Sequence, residues 1–127
     1  MTITQTLKLR ELAIVDENDQ TRIQLTVKSN VPSIEFLNER GEVSIQIILG
    51  EEGYPSIQLL PISDQLLNVK LEMDSKGAHL KFDHEQGSSC YVFLNNVGTS
   101  GMVMLDAKKQ RRFTASVTAQ GDLHLEP

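Results

Sequence analysis

Three histidines, one cysteine and seventeen carboxylates are the side chains of this 127-residue chain suited to acid–base, nucleophilic or metal chemistry. His79 and His84 are the only close histidine pair, and on a strand a spacing of five sends them to opposite faces, so they cannot share an ion. His84 falls in the turn Asp83-His84-Glu85-Gln86-Gly87, where a solvated role suffices, and His124 reads the same way. One cysteine and three scattered histidines give no zinc spacing, and no turn holds enough oxygen ligands for calcium. The carboxylates gather in turns, at Asp16 and Glu17, Glu51 and Glu52, and Asp83 and Glu85. Asp16, Asn38, Asp83 and Asp106 share one repeat position at a strand end, where a short polar side chain hydrogen-bonds nearby backbone. Ser88-Ser89-Cys90 has no nucleophile-elbow pattern, and no glycine-rich loop opens a helix. We therefore expect no catalytic residues, no cofactor and no metal. Cys90 excludes an intrachain disulfide and reads as a small core residue of its strand.

What would position any such residue is a repeat. Pro32-Ser33-Ile34-Glu35-Phe36-Leu37 stands over Pro55 to Leu60, Ala78 to Asp83 and Gly101 to Asp106, each step being 23 residues. In this alignment Ile34, Ile57, Leu80 and Val103 share one apolar position, and Phe36, Leu59, Phe82 and Leu105 another. Leu12 and Ile14 match upstream with a step of 22, and Leu123 and Leu125 form a truncated last copy. Apolar residues two apart belong to one face of a β-strand. Each such strand is followed by a polar turn and a second alternating run, such as Val43, Ile45, Ile47 and Leu49, or Cys90, Val92 and Leu94. A helix over 57–71 would hold Pro61 in its interior at a cost of ~3 kcal/mol.

The spacing predicts an all-β fold of about six tandem hairpins, about twelve short antiparallel strands in one domain over 1–127. Ile3 to Leu9 reads as a strand without its partner, and so does Asp122 to Pro127. Paired, they would close the sheet into a flattened barrel, a β-prism or a trefoil-like arrangement and remove its exposed edges. With Ile34 and Phe36 inward, Val15, Leu37, Leu60, Met102 and Met104 point outward, joined by Ile48, Tyr91 and Phe93. A row of exposed apolar residues across strands reads as a homo-oligomer contact or as a face covered by loops of the same chain.

A net charge of −5 argues against general affinity for nucleic acid or anionic membrane. No apolar run approaches the ~20 residues of a membrane span, and the first residues lack the pattern of a signal peptide, so the expected location is cytoplasmic. Lys108-Lys109-Gln110-Arg111-Arg112 is the one cluster of like charge. Tyr54, Arg111 and Arg112 are the candidates for a contact surface. The pattern points to a non-enzymatic interaction or scaffold module, oligomeric or bound to another protein. The alternative is a module for a small, carbohydrate-like ligand held by the inter-hairpin loops, against which stands the lack of tryptophan.

Overall fold

The computed structural model describes residues 2–127. They form eleven strands and no helix: β1 (Glu11–Val15), β2 (Thr21–Lys28), β3 (Val31–Leu37), β4 (Val43–Leu49), β5 (Pro55–Leu59), β6 (Leu67–Asp74), β7 (Gly77–His84), β8 (Ser89–Asn95), β9 (Ser100–Leu105), β10 (Arg111–Val117) and β11 (Leu123–Glu126). Each strand pairs antiparallel with the next, giving one sheet in chain order with β1 and β11 at its edges. No second layer packs on either face among the described residues.

The predicted closure does not occur. Ile3 to Leu9 form no strand, and the two terminal strands are the edges furthest apart in the sheet. The register supplies the reason. One row of directly paired residues crosses from Leu12 on β1 through Leu25, Ile34, Ile47, Ile57, Leu71, Leu80, Val92, Met102 and Ala115 to Leu125 on β11. A barrel needs a stagger that accumulates from strand to strand. This row has none, so the sheet stays open.

The turns explain the period. Seven connections begin at Asp16, Asn38, Gly50, His84, Asn95, Asp106 and Thr118, and all close in one way. The N–H of the first residue donates to the carbonyl of the fifth, and the N–H of the fourth donates to the carbonyl of the first. The fourth residue has positive φ, at Asp19, Gly41, Gly53, Gly87, Gly98, Lys109 and Gly121. This is the three-residue hairpin loop that ends in a left-handed residue. Asp16, Asn38, Asn95 and Asp106 each accept two further backbone N–H groups on a side-chain oxygen, at 2.8 to 3.1 Å. Asp83 does not share this role: it lies within β7, and the Nδ1 of His84 accepts the Gln86 N–H instead. The β2–β3 connection is a two-residue turn with positive φ at both Ser29 and Asn30.

One face assignment also changes. A bulge between Phe36 and Leu37 adds a residue to the hairpin of β3 and β4, whereas β7, β8 and β9 pair without one. The last step is therefore 22, and Met102 and Met104 join the face of Ile34 and Phe36 while Val103 and Leu105 take the other.

Lys109 bears a side chain where five of the seven turns have glycine. Lys109→Gly is expected to raise stability by ~1 kcal/mol, the cost of a left-handed L-residue. Asn38→Ala is expected to lower it by ~1–3 kcal/mol, because two N–H groups lose their acceptor. Urea denaturation of the two variants checks both signs.

Candidate functional site

The alternation of each strand divides the sheet into two unlike faces. On one, three rows of apolar side chains run across the strands: the row from Leu12 to Leu125, a row through Ile23, Phe36, Ile45, Leu59, Val69, Phe82, Cys90, Met104 and Phe113, and an outer row containing Val27, Leu49, Met73, Leu94 and Val117. These rows contain no Asp, Glu, Lys or Arg. Cys90, expected in a core, lies on this open face and is half-buried.

Burial runs opposite to polarity. Apart from Val15 at the β1 bulge, every large apolar side chain exposed within a strand belongs to this face, from Ile45 at 36% to Leu123 and Leu125 at 63%. The well-buried residues, Val103 at 2% and Thr26 and Ser56 at 8%, lie on the other face. In a self-sufficient domain the apolar face is the one packed away from water. Here it is the open one.

The second face carries Gln24, Glu35, Gln46, Gln58, Lys70, Lys81 and Tyr91 along a single row. Beside it is a cleft of about 540 Å³ whose lining includes His79, Lys81, Tyr91, Phe93 and Arg111. The Phe93 ring packs against Gly101, where a Cβ would stand 2.7 Å from that ring and 2.8 Å from the Ala115 carbonyl oxygen. The rings of Phe93 and Tyr91 lie 6.0 Å apart, and an Arg111 guanidinium nitrogen is 3.4 Å from the Tyr91 hydroxyl.

At one end of the cleft the pairing of Glu72 with His79 across β6 and β7 makes a cluster that residue spacing did not reveal. The Oε1 of Glu72 lies 2.5 Å from the His79 Nε2, and its Oε2 lies 2.7 Å from the Lys70 Nζ. Glu72, His79 and Asp74 offer three ligand atoms within 4.8 Å of one another. A metal would have to displace partners already in place: both Glu72 oxygens are engaged, and Asp74 accepts the N–H groups of Lys76 and Gly77. The signal lay in the register of Leu71 opposite Leu80, which fixes Glu72 opposite His79.

Of the residues expected at a contact surface, the structure brings Arg111 to this cleft. Arg112 turns away to Asp106, 3.6 Å from its carboxylate. Tyr54 stands half-exposed at the end of the β4–β5 turn, where its carbonyl accepts the Gly50 N–H. The candidates do not converge. No helix of the described residues is long and apolar enough to cross a membrane. No protein-family model, curated protein or solved structure matches the chain.

Three carboxyls sit below their ordinary range. Burial alone would raise Glu72, but hydrogen bonds from Lys70 and His79 outweigh it. Asp16 is lowered by the backbone N–H groups of Gln20 and Asn18, and Asp74 by that of Lys76 first. A depressed folded value means stability that is complete above the ordinary value, 4.5 for Glu72 and 3.8 for the aspartates, and lost as pH falls through the folded one. Thermal midpoints are thus expected to drop on acidification below about pH 4, and Glu72→Gln flattens part of that drop. Gly101→Ala is expected to cost ~1–3 kcal/mol by forcing the Phe93 ring to move, read by denaturant midpoint.

Proposed function

We propose that the protein is a non-enzymatic interaction or scaffold module whose working surface is the apolar face of the sheet. The observation that carries this reading is the inversion of burial, with uncharged rows of Ile, Leu, Val, Met and Phe open to water while Thr26 and Ser56 are buried. Apolar area of this extent is unfavourable in water by ~25 cal/mol per Å², which a docked surface recovers. The polar face supports the non-enzymatic part, because the acids and bases of its one cluster are held in pairs with each other.

Light scattering and an environment-sensitive apolar dye read the face in its two states, a covered face giving a defined assembly and an open one a dye signal. Ile57→Thr combined with Val92→Thr keeps β-branched side chains in both strands. It should weaken whichever signal the unsubstituted protein gives by about tenfold or more, since two apolar contacts are lost. A monomer that binds no dye and is indifferent to the pair overturns the reading.

A second reading, binding of a small polar ligand such as a carbohydrate, is favoured by one observation, the cleft lined by Tyr91, Phe93, Lys81 and Arg111. It moves the ligand from the inter-hairpin loops to the face of the sheet. A saturable thermal shift with a sugar, abolished by Tyr91→Ala, is the result it requires.

A further inference from the structure

Resting on the docking reading, we infer that the occupant of the apolar face is a second copy of this chain, the two sheets stacked face to face into a β-sandwich. Area comes first. Ten strand spacings of ~4.8 Å by three rows of side chains give a face of about 48 Å by about 20 Å. Two such faces remove close to 1,900 Å² from water, at the upper end of stable interfaces and near the obligate homodimers.

The need for that area is visible within one chain. Val103 is the only buried apolar residue among those described, so an isolated copy has no core on either side of its sheet. Small domains stand on the apolar surface they bury, and an unpaired single layer buries little. Folding and association are then a single event.

A like partner fits better than an unlike one on two counts. The molecule carries a net charge of −5, yet the rows of this face hold no charged residue, so two copies meet without like charges opposing each other. The same lack of charge leaves nothing by which an unrelated acidic or basic partner would be selected. Two identical sheets also share one twist, which lets them pack at about −30° and ~10 Å apart with their side chains interleaved. A two-fold axis through the face closes the assembly at two.

The experiment joins mass to accessibility. Ile57, in the central apolar row, and Gln58, its neighbour on the polar face, are each replaced by cysteine in a Cys90→Ala background, with circular dichroism confirming the sheet. The expected result is twice the chain mass by light scattering. Maleimide labelling should be at least about tenfold slower for Ile57→Cys than for Gln58→Cys, and the two rates should become equal in denaturant. A dimer in which both cysteines label alike joins through the β1 or β11 edge and overturns the inference. A folded monomer, or an open-ended polymer, also overturns it. The monomer separates this inference from the reading beneath it: dye uptake that the Thr pair abolishes would keep docking and discard the second copy, and its absence would discard both.

Discussion

Unbroken cross-strand rows of apolar side chains are the constraint on which this structure rests. In most β proteins such rows form one wall of a core and a second layer completes it. Here each residue of the rows has only its neighbours in the plane of the sheet, Ile47 between Ile34 and Ile57, Leu80 between Leu71 and Val92. Contacts of this kind contribute a few tenths to one kcal/mol per pair and set register firmly, but they leave most of these side chains open to water. The fold is specified in two dimensions and left unfinished in the third.

The polar face does a different job. Its long side chains shelter one another, and charges are matched within it, as where Lys70 and His79 both meet Glu72. The contact of Glu72 with His79 spans β6 and β7, so it reinforces their register without drawing the sheet toward any second element. A cleft opens on this face beside Tyr91 and Phe93, where the Phe93 ring lies against Gly101. Chemistry on this face is muted by mutual satisfaction: His79 and Glu72, at one end of the cleft, face each other.

Most of the architecture was legible because period and alternation are properties of the chain itself. The hairpin repeat, the all-β content and the turn roles of Asp16, Asn38 and Asp106 follow from which residues recur and how far apart. What failed depended on a single residue or on three-dimensional sums. The bulge after Phe36 makes the first step 23 where the last is 22, which misplaced Met102, Met104, Val103 and Leu105. Closure depended on accumulated stagger, invisible without the pairing of all eleven strands. The contact between Glu72 and His79 needed one pairing only, and hydrophobic alternation in β6 and β7 already implied it. Tyr54 and Arg112 were singled out by residue type, and type says nothing about convergence.

Every strand touches only the strands that precede and follow it in the chain. Such a molecule is a linear array whose cooperativity passes from neighbour to neighbour, as in a solenoid. Nucleation can begin at any of the seven like turns and spread outward, and the conformational search stays short because no distant segments must find each other. Evolution is correspondingly free to lengthen or shorten the sheet by whole hairpins, each addition altering the width of the surface without redrawing its pattern.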